Sequence, residues 1–221
     1  MSDISETSVE KLSIEKYLKE IISSIEKSNA SYLAILKNLK SDVLLSEEFF
    51  KIQYGSTVSE DAGLFLEIYK NKFLSYRHAL IILRSLVEQI IEFKYLINNP
   101  SYREKFTGDI EEYKFSDNLV NDLRQFGSKR FKNRKISIAK MAKDIGEKKD
   151  SDEKLSLYSI YIILSEQVHN LTFHDILNTI GMLEEGEQTE KTEKSVEDNG
   201  IFIVFMLDAF METYISETSD T

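Results

Sequence analysis

The stretch Ala79-Leu-Ile-Ile-Leu-Arg84-Ser-Leu-Val-Glu88-Gln-Ile-Ile-Glu92-Phe-Lys94-Tyr-Leu-Ile97 decides the fold. It is nearly long enough and apolar enough to cross a bilayer, which takes roughly 20 apolar residues. Four charges, Arg84, Glu88, Glu92 and Lys94, interrupt it, so it reads as a helix buried inside a protein. It forms the second half of a longer helix, and that half is apolar on nearly every side, the pattern of a helix surrounded by others. Thr57 and Glu60 have capping-box spacing, which places the helix start near Ser59. Pro100 places the end near Asn98, because the residue before proline is pushed out of helical geometry. The expectation is one long central helix.

Outward from it, the chain stays helical. Leu12, Tyr17, Leu18, Ile21, Ile22 and Ile25 recur at helical spacing, giving a first helix from Val9 to about Ser28. Tyr32–Leu39 either continues that helix or packs back on it. Ser41–Phe50 is a weaker helix, and Tyr54-Gly55-Ser56 reads as a break. A short helix covers Asp117–Phe126 and stops at Gly127-Ser128. Ser137 has the position of an N-cap and Gly146 that of a stop, which makes Ile138–Ile145 a short helix. Asp152 opens another helix that ends either near His169 or at Ile180, with Gly181 as its stop. Glu184–Asn199 is acidic and poor in large apolar side chains, so it reads as a solvated linker. A final amphipathic helix spans Ile201–Ile215.

The resulting organisation is N-terminal helices (1–56), a helical core (57–182), an acidic linker (183–199) and a C-terminal helix (200–221). The fold class is an all-α bundle. With one proline and 8 glycines in 221 residues, the chain is poor in the turn formers that sandwiches and barrels consume. No cysteine is present, which excludes disulfides, thiolate metal sites and cysteine nucleophiles. The beginning of the sequence has no basic region followed by an apolar core, so a cytoplasmic location without a membrane is expected. A net charge of −10 disfavours broad, nonspecific binding to nucleic acid or lipid.

Three groups of residues could carry function. Arg77, Arg84, Glu88 and Tyr95 fall on one stripe of the central helix, with Arg84 and Glu88 an i,i+4 pair in apolar surroundings. This is either a salt bridge at the rim of the core or part of a site. On the helix after Asp152, Tyr158, Tyr161, Ser165 and His169 form a second stripe, whose polar tips all need partners. The economical expectation is that the two stripes meet. Arg84, Glu88, Tyr161, Ser165 and His169 would then form a candidate catalytic centre, with His169 oriented by a carboxylate and able to move protons near neutral pH. The plain alternative is a satisfied core network. Ser165 lacks a nucleophile elbow. His169 and His174 lie five apart with no third ligand in evidence, so neither a metal nor another cofactor is expected. The third group is a basic run including Lys129, Arg130, Lys132, Arg134 and Lys135, continued by Lys140, Lys143, Lys148 and Lys149. It suits RNA, an acidic protein partner or simply a solvated face. A protein partner or a homo-oligomer is the expected assembly.

Arg84-Ser-Leu-Val-Glu88, Phe131 and the Met141-Ala142 helix, then Tyr158, Tyr161, Leu164-Ser165 and Val168-His169 form an ordered set. Over about Leu74–Ile180 this resembles a bacterial helical family of unassigned function. That family usually has tryptophan where Phe131 stands, and a proline or small residue soon after the histidine, where this chain has Asn170-Leu171. The resemblance implies a fold and candidate positions. Taken with the basic run, the expected function is a binding or regulatory protein, in bacterial defence or stress response. More loosely, the chain is similar to the higher-eukaryote-and-prokaryote nucleotide-binding (HEPN) superfamily, whose members include metal-independent ribonuclease toxins. That similarity would make His169 the acid/base and Arg84 the group that stabilises the phosphorane, with Glu88 and Tyr161 orienting. The superfamily places an arginine a few residues before the histidine on the same helix. Here Ile162, Ile163 and Leu164 occupy those positions.

Overall fold

In a computed structural model, residues 6–38, 46–70, 76–103, 136–150, 155–169 and 188–215 are described, with the backbone alone over 6–13, at 76 and over 188–199. Every regular element among them is an α-helix: α1 (Glu6–Asn38), α2 (Glu47–Lys70), α3 (Tyr76–Asn98), α4 (Ile138–Asp144), α5 (Leu157–His169) and α6 (Gln188–Tyr214). The chain is an all-α bundle. α3 is its axis, packing against α2, α4, α5 and α6, while α1 lies against α2 and α6. Ile90, Ile91, Phe93 and Leu96 of α3 are fully buried on several sides of the helix, as the quoted stretch predicts. No helix among the described residues is long and apolar enough to cross a membrane.

Three expectations are corrected. The anticipated long helix is two: α2 ends at Lys70 and α3 begins at Tyr76, and the two pack side by side. Conversely, Tyr54-Gly55-Ser56 is not a break, because α2 runs straight through it. Gly55 is there for space. A Cβ at that position would lie 2.8 Å from Asn29 Oδ1 and 3.0 Å from the Tyr214 ring, so the glycine lets α1, α2 and α6 close on one another. Finally, residues 188–199, expected to be a linker, are helical and continuous with the C-terminal segment. Glutamate and lysine are good helix formers, and a packed C-terminal half removes the cost of nucleation.

Other boundaries follow local chemistry. Tyr32–Asn38 continues α1 without interruption. Ser137 caps α4, its Oγ accepting from Lys140 N at 3.3 Å. Gly146, at φ 78°, closes α4 with two bonds: Gly146 N to Lys143 O (3.2 Å) and Glu147 N to Ala142 O (2.7 Å). This is a Schellman ending, which favours glycine because of the positive φ. α5 begins at Leu157 rather than at Asp152. Ser156 caps it through Ser159 N, and Asp150 holds Ser156 N at 2.8 Å. That hydrogen bond to the Ser156 backbone lowers the Asp150 carboxyl below its usual range.

An aromatic cluster pins α6 into the bundle. Phe93 meets Phe210 at 4.9 Å between centroids, and Phe210 stacks on Tyr214 at 4.9 Å. The Tyr214 hydroxyl donates to Asn29 Oδ1 (2.7 Å) and lies 3.1 Å from Ile25 O, while Tyr32 donates to Tyr214 O at 2.5 Å. Further along, Tyr17 donates to Asp208. Burial, followed by the Asp208 bond, holds the Tyr17 phenol well above its ordinary pKa. The helix pairs helped by these bonds are far apart in sequence, so only tertiary folding brings them together.

Candidate functional site

The two polar stripes do meet, along the seam between α3 and α5. Arg84 is the meeting point. Its Nη2 lies 3.0 Å from Glu88 Oε1, one turn on, and its Nε donates to Ser165 Oγ at 3.2 Å across the seam. The guanidinium also stands 5.8 Å from the centroid of the Tyr161 ring. Both Arg84 and Glu88 side chains are 32% exposed, so the site is at the rim of the core rather than within it. An exposed i,i+4 ion pair stabilises by only about 0.3–0.5 kcal/mol. The bonds across the seam matter more to the architecture, since they set α5 on α3.

Leu157, Ile160 and Leu164 point from α5 into the core, leaving Tyr158, Tyr161 and Ser165 along the boundary. Tyr158 stacks on Tyr161 at 6.0 Å with 25° between the planes. Lys148, from the turn before α5, places its Nζ 5.8 Å from the Tyr158 centroid. Four groups from three segments therefore form a row: Lys148, Tyr158, Tyr161, Arg84.

His169 does not join them. The sequence leads one to expect its imidazole against Arg84 and Glu88. The residue is exposed on the last turn of α5, and its imidazole forms no hydrogen bond or ion pair with a described residue. It lies one turn beyond Ser165, the residue through which α5 bonds Arg84. Ser165 accepts a bond from Arg84 and has no base beside it among the described residues. Of the first stripe, Arg77 is exposed. Tyr95 turns into the core, where it meets Tyr102 edge-on at 5.1 Å and burial raises its phenol pKa.

The cations Lys129, Arg130, Lys132, Arg134 and Lys135 lie outside the described residues, as do Phe131, the Asp117–Phe126 helix, Asp152 and Gly181. Of the basic run, Lys140, Lys143, Lys148 and Lys149 are described and exposed. Among the described residues no three His, Cys, Asp or Glu side chains converge in a way that would hold a metal ion.

Two polar groupings escape a reading of the sequence. Lys94 and Glu147, buried to 10% and 14% exposure, form an ion pair at 2.6 Å. The second Glu147 oxygen accepts from Leu157 N at 3.4 Å, and Tyr158 N donates to Glu147 O at 3.1 Å. One glutamate thus fixes α5 to α3 immediately before the row of rings. The second grouping is Asp61, which accepts from Gln89 Nε2 at 2.9 Å, the same nitrogen lying 3.0 Å from Ser85 Oγ. Burial raises the Asp61 carboxyl above its usual pKa. The only sequence signal for the first pair was a lysine inside an apolar run. Nothing local points to its partner, 53 positions away.

Compared with known proteins, the chain matches no family model, no curated protein and no solved structure.

Proposed function

We propose that this protein is a helical binding or regulatory module rather than an enzyme, engaging a partner through its basic face and the adjoining α3–α5 seam. The observation that supports this most is the state of Arg84. Its guanidinium is engaged within the chain by Glu88, Ser165 and the Tyr161 ring, while the exposed His169 imidazole makes no bond to it. The groups suited to chemistry serve instead to join two helices. Catalysis on a phosphodiester would need an acid/base and a charge-stabilising group converging on one point. The ribonuclease reading draws less support for that reason. Partner recognition by Lys129, Arg130, Lys132, Arg134 and Lys135 belongs to this proposal, with exposed Lys140, Lys143, Lys148 and Lys149 continuing their charge. A setting in bacterial defence or stress response belongs to the same proposal.

The test is to express wild type, Arg84→Ala and His169→Ala chains in bacteria, and to incubate each purified protein with total RNA in the presence of a chelator. The expected result is equal growth and intact RNA in all three cases. Growth arrest or RNA cleavage that disappears with His169→Ala would overturn the proposal.

A further inference from the structure

The basic run is flanked by acids that are already committed elsewhere. Glu147 turns inward to Lys94 and to the Leu157 amide, and Asp150 caps Ser156. Lys140, Lys143, Lys148 and Lys149 are exposed, and none of them forms an ion pair with a described residue. With exposed Asp144 and Asp150 as the acids among them, these four lysines leave α4 and the turn after it net cationic among the described residues, in a chain of net charge −10. Lys148 connects this strip to the stacked Tyr158–Tyr161 pair, and Arg84 ends the row. Beside it, Ile81 stands one turn before Arg84 on α3 and Ile162 one turn after Tyr158 on α5. They are 45% and 37% exposed.

We infer that the row Lys148–Tyr158–Tyr161–Arg84 is a docking site for an acidic peptide segment carrying an apolar anchor residue. Tyrosine and arginine dominate the energetics of protein interfaces, because they give large, rigid contact area with a polar end. The strip of lysines supplies the complementary charge for aspartate and glutamate flanking the anchor. The exposed isoleucines favour a peptide over a polynucleotide, since a phosphate backbone has no use for aliphatic surface. Among the described residues, Lys148 is held by its contact with the Tyr158 ring alone. It can swing off Tyr158 and open that ring face to the anchor.

This inference rests on the binding reading proposed above and narrows it to one partner chemistry. The experiment uses the full-length chain to select from a displayed library of random peptides, with a Tyr158→Ala/Lys148→Glu variant as counter-selection. Circular dichroism melting checks that the variant is folded, and Tyr158→Phe serves as the conservative control. The peptides enriched on wild type should combine Asp and Glu with a central Leu, Ile, Phe or Trp. A fluorescein-labelled copy of the commonest one should bind wild type and Tyr158→Phe alike. It should bind Tyr158→Ala and Lys148→Glu at least about tenfold more weakly. The inference is overturned if no peptide is enriched, if the enriched peptides are not acidic, if both substitutions leave binding unchanged, or if a single-stranded oligonucleotide binds the row more tightly than the peptide. An unfolded Tyr158→Ala chain would leave Lys148→Glu, at an exposed position, to decide the matter. Failure of the binding reading itself would appear differently, as cleavage of RNA by the wild-type chain.

Discussion

Removing the Glu147 carboxylate should destabilise the bundle more than any change at the Arg84 seam. Lys94 and Glu147 meet at 2.6 Å with side chains 10% and 14% exposed. Glu147→Ala strands the Lys94 ammonium in the core and removes the acceptor for the Leu157 amide. Breaking a buried pair by deleting one partner costs about 3–5 kcal/mol, because an uncompensated charge stays behind. Glu212, 4.0 Å from Lys94 and 62% exposed, offers a partial substitute, so the lower end, about 3 kcal/mol, is expected. For a chain of this size each kcal/mol lowers Tm by about 2–4 °C, which gives a fall of about 6–12 °C. Replacing both residues by apolar ones, Lys94→Met with Glu147→Leu, should recover most of the loss, since no charge is then left buried. The assay is thermal and urea unfolding of wild type, both single variants and the double variant. Arg84→Met, at a half-exposed position, should cost only about 1 kcal/mol in the same series. A Glu147→Ala shift below about 2 °C, or a double variant no better than the worse single, would refute the reasoning.

Two glycines in α2 should respond with opposite signs. Gly63 has nothing within 4 Å of an added Cβ, so Gly63→Ala should gain about 1 kcal/mol of helix propensity. Gly55→Ala gains the same propensity, but its Cβ meets Asn29 and Tyr214, and overpacking of about 1–3 kcal/mol should make the net change unfavourable. Differential scanning fluorimetry of both variants reads the two signs together. At Asp61, burial holds the carboxyl pKa above its ordinary 3.8. Folding thus favours the protonated form, and the stability this gives is full below the unfolded value and lost as pH rises through the folded one. Asp61→Asn should therefore raise Tm at neutral pH and lose that advantage in acid. A gain that is the same at all pH values would exclude the carboxyl as its source. At the turn after α4, Gly146→Ala should cost about 1–2 kcal/mol, since φ 78° is a conformation that side chains rarely adopt. Urea unfolding measures that loss.

The local signals in the sequence carried the secondary structure well. Ser137 and Gly146 announced α4 because a hydroxyl cap and a left-handed ending depend on only a few neighbouring residues. The apolar run ending at Ile97 announced the bundle axis for the same reason. The Arg84–Glu88 pair and its meeting with Tyr161 and Ser165 were also legible, because polar groups at the edge of a packed seam find one another. What the sequence by itself could not determine was where helices cross. Gly55 looks like a break until Asn29 and Tyr214 are seen to need its space. Whether His169 reaches Arg84 depends on how α5 is set against α3, which no contiguous run of residues states. Glu147, to all appearance one acid in a basic run, has its partner 53 positions away on another helix. Periodicity and capping are written in contiguous residues, whereas close approach, burial and charge pairing between helices arise only once the whole chain has packed.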